Sequence, residues 1–206
     1  TCALPILPRA QVYAEALRLL ANASSLLASG DFSDFNAKAL IKGFNLPNTI
    51  ALLRARYSLF SGQNQDAITF ANAVNITAAG RSEFRYDNSG NNNAFYAVYK
   101  VSAFFVPRRN FGFEASTGLV ESSDARLRFF LINRDKPSIL RSLPCSDFTS
   151  TSFFGSLTAS IPVFRPGEVA LIRAEANARL NNSAAAVTDI NAIRTKKASD
   201  DYLGLG

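Results

Sequence analysis

Phe164-Arg-Pro-Gly-Glu-Val-Ala-Leu-Ile-Arg-Ala-Glu-Ala-Asn-Ala-Arg-Leu180, continued through Asn181-Asn-Ser183 to Arg194-Thr-Lys-Lys197, is the stretch whose reading decides the fold. Pro166 suits a first helical turn, where its missing N–H is no loss. Glu168 follows, where a negative charge suits a helix N-terminus. Val169, Ile172 and Ala176 recur at i, i+3 and i+7, so they share one face. Asn181-Asn182 interrupts the pattern, and Ser183 is the expected N-cap of a second helix. Ala186, Ile190 and Ile193 form its stripe, and Lys196 and Lys197 place cations at its C-terminal end. The segment reads as a helical hairpin with its turn at Asn181–Ser183.

The same unit occurs earlier. Ala51–Val74 aligns without a gap on Ala170–Ile193, at an offset of 119 residues, the difference between positions 170 and 51. Ala51, Leu52, Arg54, Ala55, Ala67, Thr69, Asn72 and Ala73 fall on Ala170, Leu171, Arg173, Ala174, Ala186, Thr188, Asn191 and Ala192. Repeated helix pairs of this size point to a tetratricopeptide-like array, in which each pair buries its face against its neighbours. The expected fold is mainly α, built of such hairpins, with an irregular insertion containing short strands between them.

The chain of 206 residues is long enough for one substantial core, and 48% apolar content argues against wholesale disorder. No apolar run is long enough to span a bilayer. No signal peptide is legible at Thr1–Pro5, and the absence of Met suggests part of a longer chain. The net charge of +6 is scattered, with adjacent basic pairs only at Arg108-Arg109 and Lys196-Lys197, so no nucleic-acid partner is expected. Cys2 and Cys145 lack metal-ligand spacing, and whether they pair stays open.

Along the chain, Leu4–Arg9 reads as an extended lead-in. A first helix starts near Ala10, with Tyr13, Ala16, Leu17, Leu20, Ala23 and Leu27 on one face and Gly30 at its end. Asp31–Asn36 reads as a polar turn and Ala37–Lys42 as a short helix. Pro47 opens a helix to about Ser61, stopped by Gly62, and Gln65–Ala79 is a further helix closed by Gly80. These helices are expected to pack as consecutive antiparallel neighbours. The expected layout is a single domain over 1–206: helical repeats over 10–80, an irregular insertion over 81–163 holding the ligand region, and the second hairpin over 164–197. Inside the insertion, Asp87–Asn93 is a turn. Ala94–Val106, rich in Phe, Tyr and Val, favours a strand. Arg126–Ile132 is a second candidate strand, and Phe148–Pro162 reads as loop.

The chain contains no histidine, which removes Ser-His-Asp and Cys-His catalysis and the usual zinc and non-haem iron sites. Glu83, Asp87, Glu114, Glu121, Asp124, Asp135 and Asp147 show no spacing that singles out a catalytic carboxylate pair. Asp87–Asn93 lacks the alternating acids and closing Glu of an EF-hand loop, and no phosphate loop is present. No cofactor and no metal are expected. What remains is a binding surface. Tyr86, Phe95, Tyr96, Tyr99, Phe104, Phe105, Phe111 and Phe113 interleave with Asn88, Asn91, Asn92, Asn93, Arg108, Arg109 and Asn110. Aromatic faces beside amides and guanidinium groups suit sugar rings. Tyr86, Tyr96, Arg108 and Phe111 are the expected ligand contacts, whereas Phe95, Val101 and Phe104–Phe105 are expected to be core.

The pattern Phe164–Leu180 resembles the "R-x-x-E-v-x-L-i-x-A-E-A" signature of the SusD/RagB family, and Ala186–Lys196 resembles its following "A-l-x-x-I-N-x-I-R-x-R". Weaker similarity lies at Ala3–Tyr13, at Ala51–Ala73 and at Ser123–Arg126. Lys196 stands where the family has Arg, and Cys2 has no lipobox before it. The resemblance implies a surface-exposed lipoprotein of the outer membrane that captures glycans, or in some members peptides, and delivers them to a SusC-like TonB-dependent transporter without cleaving them. It also implies that Glu168, Arg173, Glu175, Asn191 and Arg194 are structural. A tetratricopeptide-type peptide scaffold and a histidine-free glycoside hydrolase are the alternatives.

Overall fold

The computed structural model describes residues 7–101, 132–133, 148–149, 152–200 and 202–203. The chain divides into two compact units, one formed by residues 1–83 and 162–204, the other by residues 84–161 with the last two.

The first unit is helical. Helix α1 spans Arg9–Ser29, α2 Ser33–Lys38, α3 Leu46–Phe60, α4 Asn64–Ala73, α5 Pro166–Arg179 and α6 Ser183–Arg194. Helix α1 runs along α3: Tyr13 meets Tyr57 and Phe60 with ring centroids 6.1 and 6.2 Å apart, and Arg9 Nη2 donates to Phe60 O. Contact between the start of α1 and the end of α3 makes the pair antiparallel.

Helices α3 and α4 form one hairpin, α5 and α6 the other, and the repeat seen in the sequence recurs in the backbone. Phe60 and Arg179, at equivalent positions, end the first helix of each pair; Asn64 and Ser183 start the second. Gly62 and Asn181, also equivalent, both take positive φ, 81° and 63°. Asn is among the few non-glycine residues that tolerate this conformation. The turn hydrogen bonds match as well: Gln63 N–H donates to Ser58 O at 2.8 Å, and Asn182 N–H donates to Asn177 O at 2.8 Å. The core lies between the pairs. Leu52, Ala55, Leu59, Ala67 and Ala71 of the first hairpin bury against Phe164 and against Val169, Ile172 and Ala176 of α5, the stripe expected there. Small residues at Ala55, Ala67, Ala71 and Ala176 let the helices approach closely.

Polar contacts tie the hairpins together. Arg56 Nε donates to Glu168 Oε1 at 2.8 Å, and Arg179 Nη1 donates to Leu59 O at 2.9 Å. Within each hairpin an equivalent arginine bridges the two helices with a different partner. Arg54 lies over the Phe70 ring at 3.8 Å, whereas Arg173 pairs with Asp189 at 2.5 Å and reaches Asn72 of the first hairpin.

Several boundaries differ from the sequence reading. The short helix is Ser33–Lys38 rather than Ala37–Lys42, because Asp31 Oδ1 accepts Ser33 N–H and turns the chain earlier. Helix α4 ends at Ala73, not Ala79. The Asn48 side chain intercepts the backbone beyond it, accepting from Asn75 N–H at 2.8 Å and donating to Asn75 O and Gly80 O at 2.8 and 2.6 Å. Asn182, not Ser183, is the N-cap of α6, and no side chain caps it.

In the second unit the expected strand over Ala94–Val106 is helical where it is described. Ala94–Phe95 open the turn and Tyr96–Val101 continue it as a π-helix. The cause is local. Asn93 Oδ1 accepts Phe95 N–H and Asn93 O accepts Tyr96 N–H, so a cap overrides the β-propensity of the aromatics. The Phe148–Pro162 stretch holds more structure than a loop. Strand β3 (Phe148–Thr149) pairs antiparallel with β2 (Ile132–Asn133), Ser152–Phe154 is a 3-10 turn, and β4 (Ile161–Pro162) pairs with β1 (Glu83–Phe84). Residues 126–131 of the second expected strand, residues 4–6 of the lead-in, and Cys2 and Cys145 lie outside the described residues.

Candidate ligand-binding region

The positions where the chain leaves and re-enters the helical unit are held by a buried polar cluster at the start of α3. Asn45 caps α3 by accepting Asn48 N–H at 3.1 Å. Thr49 Oγ1 and Ser82 Oγ lie 2.8 Å apart, and Ser82 Oγ accepts Asn45 N–H at 3.1 Å. Ser82 O accepts Val163 N–H at 2.9 Å, and Glu83 N–H donates to Gly43 O at 2.9 Å. The first stem is therefore bonded to α3 through the buried Thr49 and Ser82, and the second stem is tied to the first through Val163. A side chain at Gly80 has no room: its Cβ would stand 2.0 Å from Asn75 O.

Within the second unit Asn93 is the organising residue. Fully buried, it uses every polar group it has. Its N–H donates to Leu157 O at 2.7 Å, and its Nδ2 donates to Phe153 O and Ala159 O at 3.1 and 2.8 Å. Its Oδ1 and O cap the following helical turn. Upstream, Asp87 closes a tight polar loop. It accepts from Ser89 Oγ and Ser89 N–H, donates its own N–H to Asn91 O, and Asn91 Nδ2 returns to Arg85 O. Donation by the Ser89 hydroxyl, then by the Ser89 and Asn91 N–H groups, holds the Asp87 carboxyl below the ordinary carboxylate range.

Of the four expected contacts, Tyr86 and Tyr96 fall in this unit, both half-buried, on either side of the Asp87–Asn93 loop. Arg108 and Phe111 lie outside the described residues, as do Phe104, Phe105 and Phe113. Phe95 departs from the sequence reading. Instead of entering a core it is 46% exposed and leans on Phe154, with centroids 5.2 Å apart and planes tilted 38°. The sequence does not single out Phe154, and it offers Asn93 only as one of several amides interleaved with the aromatics. Phe154 sits in a Ser/Thr-rich stretch that reads as loop, and Asn93 is one of three consecutive asparagines. Among the described residues no group of His, Cys, Asp or Glu is arranged to hold a metal ion.

The sequence profile of the SusD family matches residues 147–203, the strand and turn segment together with the whole second hairpin. This segment is similar to SusD-family sequence. No curated protein matches the chain. The SusD-like segment contributes both α5 and α6, and its Glu168 and Arg179 make the contacts that join the second hairpin to the first. Among the described residues no helix is long and apolar enough to cross a membrane.

Proposed function

We propose that this protein captures an oligosaccharide at the outer-membrane surface and hands it to a SusC-like TonB-dependent transporter, without cleaving it. The match of residues 147–203 to the SusD family carries this reading. Sugar rings would stack on Tyr86 and Tyr96, with Arg108 and Phe111 completing the contact set. Asn88, Asn91 and Asn92, all exposed beside these rings in sequence, supply the amides that sugar hydroxyls need. A stacking contact of this kind contributes about 1 kcal/mol, so affinity comes from several weak contacts and is modest. Peptide is the alternative cargo and meets the same aromatic faces.

A glycan array probed with the 206-residue chain tests the proposal. Selective retention of one class of oligosaccharide, unchanged in chain length after elution, supports capture without cleavage. Uniform background across the array rejects a glycan ligand, and shortened products reject a non-catalytic role.

A further inference from the structure

Of the consecutive asparagines Asn91, Asn92 and Asn93, the first two are exposed and the third is fully buried. The buried amide joins segments far apart in sequence. Asn93 Nδ2 donates to Phe153 O and Ala159 O, 60 and 66 residues away, while Oδ1 holds the N–H of Phe95. With its acceptor and both donors engaged, the amide cannot turn without giving up bonds on both sides. Tyr96 follows three residues on. The π-helix that it opens, Tyr96–Val101, lies against the 3-10 turn Ser152–Phe154, and the Phe95 ring leans on Phe154 at 5.2 Å. Successive side chains on a helical turn diverge by roughly a quarter turn. Once Phe95 is stopped against Phe154 and its N–H is held by Asn93, the direction in which Tyr96 leaves the backbone is set as well.

A stacking contact is weak, and ordering a loose ring together with its backbone at the moment of binding cancels much of it. A ring that is already aimed keeps that free energy for the ligand. We propose that Asn93, with Phe154 as its backstop, is a positioning residue of the sugar site. It touches no ligand, being 0% exposed, and acts through Tyr96 by fixing the turn that carries this ring onto the segment 153–159. The inference rests on the glycan reading and names the group that makes Tyr96 an effective contact. Replacing the amide by a shorter hydroxyl separates its two tasks. Serine still offers an acceptor to the Phe95 N–H, as at a helix N-cap, but it cannot make both long-range donations.

The test is a cycle of four full-length proteins: the parent, Asn93→Ser, Tyr96→Ala and the two combined. Each is titrated calorimetrically with malto-, cello-, xylo- and mannohexaose. Asn93→Ser should weaken binding about fivefold, no more than Tyr96→Ala does, and should cause no further loss once Tyr96 is Ala. Fluorine NMR of protein carrying 3-fluorotyrosine at its six tyrosines adds a readout that needs no ligand. The line lost in Tyr96→Phe belongs to Tyr96. In Asn93→Ser that line should broaden or split, while those of Tyr13 and Tyr57 in the helical unit stay as they are. If Asn93→Ser does not fold, Phe154→Leu withdraws the backstop and takes its place in the cycle. Equal affinity of parent and Asn93→Ser, or an unmoved Tyr96 line, overturns the positioning role and leaves the glycan reading standing. A loss that persists in the Tyr96→Ala background overturns it too, because Asn93 then supports the unit at large. No heat from the parent with any of the four hexaoses is instead a failure of the glycan reading, and takes this inference with it.

Discussion

Asn48 shows what a single side chain decides in this molecule. It is 7% exposed, and its amide satisfies backbone groups of Asn75 and Gly80 that would otherwise be stranded behind the end of α4. Leaving a buried donor or acceptor unpaired costs about 1–3 kcal/mol. Asn48→Ala strands more than one, and we expect a loss of about 3 kcal/mol in urea unfolding; a loss below about 1 kcal/mol would mean that water replaces the amide. Ser58 makes the opposite case. Its hydroxyl is buried with no hydrogen-bond partner among the described residues. Removing an unsatisfied group recovers its desolvation penalty, so Ser58→Ala should leave the midpoint unchanged or raise it. A drop of more than about 1 kcal/mol would mean that the hydroxyl has a partner in solution. The two residues read alike in the sequence, as small polar interruptions of an apolar helix, and only their surroundings separate them.

At the scale of elements, the hairpins were legible because the information is periodic and local. Pro166, Glu168 and the Val169–Ile172–Ala176 stripe specify α5 before any tertiary contact is known. The gapless offset extends as far as the left-handed turn residues Gly62 and Asn181. What was not legible depended on distant partners. The end of α4 is set by Asn48, 27 residues away from Asn75, and helix formation after Asn93 depends on one cap among three neighbouring asparagines. Aromatic and β-branched residues at 94–101 favour a strand on propensity, and a capped turn reverses the outcome. The packing of the hairpins on each other carries its own prediction. Arg56 and Glu168 are 27% and 30% exposed, enough burial to escape full screening. A double-mutant cycle with Arg56→Gln and Glu168→Gln should give a coupling of about 1 kcal/mol that shrinks in high salt. Zero coupling at low salt would make the pair incidental to the interface.

For the whole molecule the division of labour follows from these parts. Alternating apolar and small residues build a duplicated helical scaffold, and a polar cluster around Asn45, Thr49 and Ser82 fixes where the intervening chain departs and returns. That chain carries no histidine and, among the described residues, no metal cluster. It does carry aromatic rings next to amide-rich turns. Of the candidate contacts the sequence could supply residue types but not positions: Tyr86 and Tyr96 fall in one compact unit, whereas Phe95, expected inside, faces outward on Phe154. The proposal that this region grips a sugar is tested most directly by isothermal titration with an array-selected oligosaccharide. The comparison sets the parent chain against the double variant Tyr86→Ala and Tyr96→Ala, with thermal melts run on both. The account predicts saturable heat for the parent and none for the variant, with melts that superimpose; the same heat in both proteins would contradict it.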